Sequence, residues 1–177
     1  MYNIRTLRKF KNLNYDKWSA KEIVHMSFSE DNQLLLTLGG APDWTLVCWN
    51  WNKAKVLSYV QVSESSPVSQ TSFSPLDASV ACVSGKDKLS FYRVLDNELR
   101  VIPSSNLEDS NVLCHVWLKQ PEDHLVVGTD DGEVRSGERS YVKSLLLLTP
   151  LSRATCRVLL LASLVTIVLS PLSCRSC

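Results

Sequence analysis

The sequence predicts an all-β fold in which a four-stranded unit recurs along the chain. Phe28 and Phe73 each end an apolar run that a polar turn follows, and they lie 45 residues apart. Trp117 follows Phe73 at 44 residues, with another apolar run behind it. Glycine turns at Gly39 and Gly85 separate the second run from the third. Four short strands per unit at this period are typical of β-propeller blades.

A β-sandwich or a barrel is the alternative, because such folds also contain short apolar runs separated by Gly, Pro and Asp. A sandwich gives no reason for the first and third strands to keep the same spacing in successive units. The period therefore favours an incomplete β-propeller of about two and a half blades.

The first predicted blade covers residues 23–62. Its inner strand runs from Ile23 to Phe28, and a polar turn separates this strand from the continuous apolar run Leu34–Leu38, which is expected of a strand covered on both faces. The third strand, Trp44–Trp51, is aromatic and β-branched.

The second predicted blade, residues 68–102, repeats this plan, and residues 112–134 begin a third. Residues 1–14 resemble the second half of a unit and predict the end of a preceding blade.

Residues 135–177 are predicted to be a separate tail, irregular or helical. From Arg139 onwards the chain has no Asp or Glu, and it contains 11 Leu and 7 Ser. The apolar run Val158–Leu169 would span about 18 Å as a helix, against roughly 30 Å of membrane hydrocarbon. A non-native splice tail, a membrane or hydrophobic docking segment extending to Leu172, and a true domain end are the three interpretations.

Composition excludes several classes of function. The net charge is +1, from 19 basic and 18 acidic residues, so no nucleic-acid footprint is expected. No secretory signal is visible, and Cys48, Cys82 and Cys114 lie in apolar runs, where a free thiol acts as a small core residue. These features predict a cytoplasmic protein.

No catalytic, cofactor or metal site is predicted. The pair Cys174 and Cys177 lacks a second pair at zinc spacing. His25 and His115 are expected at similar places in their units, in a structural role. Three aspartates in or beside glycine turns are expected to cap their own backbone: Asp43, Asp87 and Asp131. The sequence thus predicts neither an enzyme nor a small-molecule substrate.

Three tryptophans in the third strand of the first blade are the candidate protein-interaction residues: Trp44, Trp49 and Trp51. Packing between blades is the role that the pattern favours over a ligand surface, because large rings bury well and an indole N–H needs only one partner.

With these units placed, residues 2–134 resemble a known family. The segments that resemble it are Ala20–Ser29, Leu46–Val56, Pro67–Pro75 and Leu125–Gly132. They are similar to the divergent WD-repeat region of the cilia- and flagella-associated proteins. The usual Trp-Asp pair is Trp49-Asn50 here, and the usual Gly-His is missing, so the Asp–His network of such repeats is not carried over.

The resemblance implies an axonemal scaffold of the ciliary or flagellar cytoskeleton that supports inner dynein arm assembly and motility, with axonemal or dynein-arm proteins as partners. A membrane-associated variant and a non-functional truncated isoform are the alternatives. An open stack of blades leaves the apolar faces of its outermost blades exposed to solvent. The fragment is therefore expected to be marginally stable unless a partner covers those faces.

Overall fold

The computed structural model describes Met1 and residues 5–95, 98–103, 111–119 and 124–138. These residues form eleven β-strands and no helix. The strands make three antiparallel sheets, and in each sheet neighbouring strands follow one another along the chain. The predicted all-β, incomplete propeller is confirmed. The predicted apolar tail segment lies outside the described residues.

Each sheet is one blade. Blade 1 contains β1 (Ile23–Phe28), β2 (Leu34–Gly39), β3 (Thr45–Asn50) and β4 (Lys55–Gln61). Blade 2 contains β5 (Val68–Phe73), β6 (Val80–Gly85), β7 (Lys88–Leu95) and β8 (Glu98–Ile102). Blade 3 contains β9 (Val112–Trp117), β10 (His124–Thr129) and β11 (Val134–Glu138).

The pairing register confirms that the repeating units are equivalent. Phe28 lies opposite Leu35 in blade 1, and Phe73 lies opposite Ala81 in blade 2. Trp117 occupies the same place in blade 3, opposite Leu125. Each inner strand also carries an irregularity near its start, such as the one between Ile23 and His25. Any residue of one blade can therefore be matched to its counterpart in the other two.

The core lies between the blades, because successive side chains of a strand point to opposite faces of its sheet. We call the face of a blade that turns toward the next blade its trailing face, and the opposite face its leading face. The first interface joins the trailing face of blade 1, with Leu36, Leu38, Leu46 and Cys48, to the leading face of blade 2. The second joins Cys82, Leu89 and Phe91 of blade 2 to the leading face of blade 3.

Two predicted segment boundaries can be compared with the strands of the structure. Among residues 1 and 5–14, where the end of a preceding blade was expected, there is one isolated bridge residue, Lys9, and no strand. A two-stranded piece would leave one face exposed to solvent. Here residues 5–10 are exposed, and Leu13 packs onto blade 1. At the other end, β11 pairs with β10 as far as Glu138, so the predicted start of the tail at residue 135 falls inside a strand.

Candidate protein-interaction site

His115 lies at the centre of a polar network between blades 2 and 3. Its Nε2 is 2.6 Å from the hydroxyl of Ser72, and its Nδ1 is 2.7 Å from the hydroxyl of Ser84. The indole N–H of Trp117 donates to the same Ser72 oxygen at 2.9 Å. Burial, with the charge of His25 as a second cause, lowers the pKa of His115 to about 3. The ring is therefore neutral at pH 7 and satisfied at both nitrogens, which suits a structural role.

His25 and His115 are not at equivalent positions, contrary to the sequence-based expectation. His25 lies three residues before Phe28, whereas His115 lies two residues before Trp117. Because side chains alternate along a strand, one residue of offset moves a side chain to the other face. His25 is on a trailing face and accepts a 3.4 Å hydrogen bond from the backbone N–H of Thr71, while His115 is on a leading face. Both imidazoles thus contact blade 2, from opposite sides.

Trp49, one of the three candidate interaction residues, is a core residue with 3% of its surface exposed. Its indole N–H donates to the hydroxyl of Thr37 in the neighbouring strand at 2.8 Å. The ring packs on the leading face of blade 1 with Leu35 and Val47. A partner can reach Trp49 only if the side chains that cover this face, among them Tyr15 and Trp18, move away.

Trp44 and Trp51 are half-buried and lie apart from each other. Trp44 precedes β3 and packs against the trailing-face core of blade 1. Trp51 follows β3 and belongs to the leading-face cluster, where its indole N–H donates to the carbonyl of Asn32 at 2.7 Å and its ring meets Phe28 edge-on at 5.8 Å. The structure therefore does not bring the three tryptophans together in one aromatic patch.

An extended segment that we call the strap (residues 10–18) covers the outer half of the leading face of blade 1. Inward and outward side chains alternate along it, and Leu13, Tyr15 and Trp18 pack against Leu35 and Trp49. The sequence contains this alternation, but it is too short and polar to distinguish from a loop.

Aromatic contacts and two lysines hold the strap in place. The ammonium of Lys17 donates to the hydroxyl of Tyr59 at 3.1 Å. The ring of Tyr15 contacts those of Trp18, Trp49 and Tyr59 at centroid distances of 5.9, 6.5 and 5.3 Å. The ammonium of Lys11 donates to the backbone carbonyls of Trp51 and Asn52 and lies 5.6 Å from the centre of the Trp51 ring.

The inner half of this face is open. The strap leaves uncovered three apolar residues of β1 that we call the open row: Ile23, Met26 and Phe28, which are 51%, 58% and 41% exposed. Their counterparts in blade 2 are Val68, Thr71 and Phe73, all of which are 5% exposed or less. Sequence reasoning expected wet blade faces but did not identify these residues, although their offsets from Phe28 and Phe73 contain that information. The open row is the candidate docking surface.

The thiols and turn aspartates of the described residues lie in structural surroundings. They contain no group of three or more His, Cys, Asp or Glu side chains that could hold a metal ion. Burial raises the pKa of the Cys48 thiol to about 12 and that of the Cys82 thiol well above its ordinary value, so both thiols are protonated at pH 7. Asp131 binds the Thr129 hydroxyl in its own turn, whereas Asp43 accepts a hydrogen bond from the backbone of Ser19, in the segment that follows the strap.

Comparisons with known proteins agree with this architecture. No protein-family model matches the chain. It is 34% identical over 143 residues to cilia- and flagella-associated protein 57 of Mus musculus, covering 78% of this chain and 11% of that protein. It is 30% identical over 129 residues to cilia- and flagella-associated protein 43 of Chlamydomonas reinhardtii, covering 62% of this chain and 7% of the relative. The chain thus spans about a tenth or less of the length of these relatives.

A solved structure supports the fold. The β-propeller domain of Cps50 (Swd1) from Myceliophteria thermophila superposes with a TM-score of 0.67 at 16% identity. The match covers 85% of this chain and 48% of that one.

In the described residues, no helix is long and apolar enough to cross a membrane. The segment Val158–Leu172, on which the membrane interpretation depends, lies outside them. The sequence relatives, the propeller fold and the spacing of the repeating units agree with one another. The chain has a β-propeller fold and is similar in sequence to cilia- and flagella-associated proteins.

Proposed function

We propose that this chain is a non-enzymatic scaffold module of the ciliary or flagellar axoneme that binds other proteins and supports inner dynein arm assembly. The observation that carries the proposal is the 34% identity to cilia- and flagella-associated protein 57 over 78% of the chain. Buried, neutral His115 and protonated thiols are consistent with a binding role, because they leave the blades without an activated nucleophile or base.

Two half-buried tryptophans remain candidates for contact with axonemal partners. Trp44 and Trp51 each keep part of the ring accessible at opposite ends of β3. Aromatic residues of this kind are enriched among the residues that dominate binding energy at interfaces. Buried Trp49 packs in the leading-face cluster of blade 1.

The test is to remove this protein from ciliated cells and restore it with a tagged form. We expect the tagged protein in the axonemal fraction, and we expect loss of the protein to lower the inner-arm dynein content of isolated axonemes. Trp44→Ala with Trp51→Ala should weaken capture of axonemal proteins, whereas the exposed-residue control Leu76→Ala should not. A protein that stays out of the axoneme, or unchanged inner arms after its loss, would overturn the proposal.

A further inference from the structure

The strap is attached to blade 1 by side chains and not by its backbone. In the described part of the chain, the backbone hydrogen bonds of the strap run to Met1 and within the strap itself. Its links to the blade are the ammonium of Lys11 on two backbone carbonyls, the ammonium of Lys17 on the hydroxyl of Tyr59, and packed apolar and aromatic side chains. The strap can therefore leave the blade without breaking a hydrogen bond between two strands.

The equivalent face of blade 2 has a firmer cover. Tyr92, the counterpart of Trp49 by pairing register, lies in the core between blades 1 and 2 with Leu46 and Cys48. Those two residues belong to β3, which pairs with both β2 and β4. Over Trp49, by contrast, the inward side chains of the strap are only half-buried. Because segments with few backbone bonds and partly exposed side chains open at a low free energy, the strap is the part of this face most ready to open.

The contacts of the strap show what kind of segment the face beneath it binds. A leucine and two aromatic rings, Leu13, Tyr15 and Trp18, pack on a buried apolar floor that includes Trp49. A lysine near each end of the strap donates to acceptors at the rim of this floor. The face therefore fits an extended segment with aromatic side chains at its inward positions and basic residues beside them.

One acceptor beside the strap is left unsatisfied. The Oδ2 of Asp43 accepts a hydrogen bond from the backbone N–H of Ser19, but its Oδ1 is buried and has no hydrogen-bond partner among the described residues. A buried acceptor without a partner lowers stability. A segment that supplied one more donor at this place would therefore fit the face better than the strap does.

We propose that the strap is an exchangeable cover: it detaches while blade 1 stays folded, and the face that it leaves binds an extended segment of another protein with the same side-chain pattern. The strap and the partner segment compete for one surface, so the face stays masked until a segment of higher affinity replaces the strap. This inference rests on the proposed protein-binding role and gives the class of partner segment for one face of blade 1.

A fluorescently labelled synthetic peptide of residues 9–20 is the probe, and anisotropy measures its binding to the purified full chain. We expect Tyr15→Ala with Trp18→Ala in the chain to lower the dissociation constant of the peptide at least about tenfold, because weakening the chain's own strap raises the open fraction of the face. Asn12→Ala with Asn14→Ala is the matched control: both side chains are exposed, and this variant should bind the peptide like the original chain. A peptide with alanine in place of its tyrosine and tryptophan should not bind.

Native-state hydrogen exchange tests the detachment in the unaltered chain. The backbone N–H of Trp18 donates to a carbonyl within the strap, whereas Val47 lies in the middle of β3 and pairs on both sides. We expect exchange at Trp18 to be insensitive to low concentrations of urea, because opening the strap exposes little surface, and exchange at Val47 to follow unfolding of the blade.

Two results would each overturn the proposal. Equal urea dependence at Trp18 and Val47 would show that the strap leaves only when the blade unfolds. A peptide that binds the alanine double variant no more tightly than the original chain would show that the face does not take an extended segment. Because these measurements use the purified chain alone, their failure leaves the ciliary role untouched.

Discussion

Gln70 and His115 are joined by two hydrogen bonds between the inner strands of adjacent blades. The side-chain amide of Gln70 donates to the carbonyl of His115 at 2.9 Å, and its oxygen accepts from the backbone N–H of His115 at 2.8 Å. One side chain thus satisfies both backbone groups of a residue that another strand would satisfy in a continuous sheet. This contact fixes the position of β9 relative to β5.

Gln70→Ala should lower the free energy of unfolding by about 1–3 kcal/mol, because it leaves the backbone N–H and carbonyl of His115 without these partners in a partly buried place. Urea denaturation measures the change. Gln61→Ala, at an exposed position of β4, is the control and should stay within about 0.5 kcal/mol of the original chain. Equal effects of the two substitutions would show that the contact is not stabilising.

Stability should fall as the pH drops below 6.5, because the unfolded chain then protonates His115 and the folded chain does not until about pH 3. Between pH 6.5 and 5, above the range of ordinary carboxyl groups, the loss due to His115 is about 1.5 kcal/mol. Burial also lowers the pKa of His25, which acts in the same direction.

The pH dependence of urea unfolding checks this prediction in the variant His115→Asn, which keeps polar groups but cannot titrate. We expect a smaller pH slope than in the original chain. His25→Asn is the comparison, and because His25 is only half-buried it should flatten the slope less. An unchanged slope in His115→Asn would contradict a neutral, buried His115.

The hydrogen bond between Trp49 and Thr37 should be measurable in a double-mutant cycle. Trp49→Phe removes the indole N–H, and Thr37→Val removes the hydroxyl that accepts it at 2.8 Å. We expect a coupling free energy of about 1 kcal/mol from the unfolding of the four proteins. Additive effects would mean that the two groups stabilise the blade independently.

Gly39 and Gly85 occupy the same place in blades 1 and 2 but should respond differently to alanine. A Cβ on Gly85 would lie 2.6 Å from the Cα of Val68, so the backbone of β5 must move. A Cβ on Gly39 would lie 2.8 Å from the half-buried ring of Trp18 and 2.8 Å from the Cβ of Ala20. Both residues belong to a stretch outside the sheet, which is freer to shift than β5. We expect Gly85→Ala to cost about 2 kcal/mol in unfolding free energy and Gly39→Ala less than about 1.

Hydrogen exchange of backbone amides distinguishes the local effects of the two glycine variants. The backbone N–H of Trp18 donates to the carbonyl of Tyr15 at 3.1 Å, and Gly39→Ala should speed its exchange without changing exchange in blade 2. Asn14→Ala, at an outward position of the strap, is the control. Unchanged exchange at Trp18 in Gly39→Ala would show that the strap does not depend on this contact.

The positions of the repeating blades could be predicted from the sequence, because they depend only on the spacing of equivalent residues. Phe28, Phe73 and Trp117 are equivalent in the structure as their spacing indicated. Apolar runs such as Leu34–Leu38 also coincide with buried strands, since continuous hydrophobicity marks a strand covered on both faces.

Long-range contacts could not be predicted. The faces of His25 and His115 could have been, because their different offsets from Phe28 and Trp117 are present in the sequence. The bond of Lys11 to the carbonyl of Trp51 and the pairing of Gln70 with His115 join residues at least 40 apart, which no local pattern specifies. The separation of Trp44 from Trp51 likewise follows from their opposite faces.

Met26, Thr71 and His115 occupy one position of the repeat, yet they are a thioether, an alcohol and an imidazole. If blade 3 directly followed blade 1, His115 would face Leu38 where it now faces Ser84. The blades are therefore not interchangeable. Exchanging their order would preserve the hydrophobic period but leave a buried polar group without a hydrogen-bond partner. The order of the repeats is thus encoded in the few polar side chains between them, and the apolar core alone does not specify it.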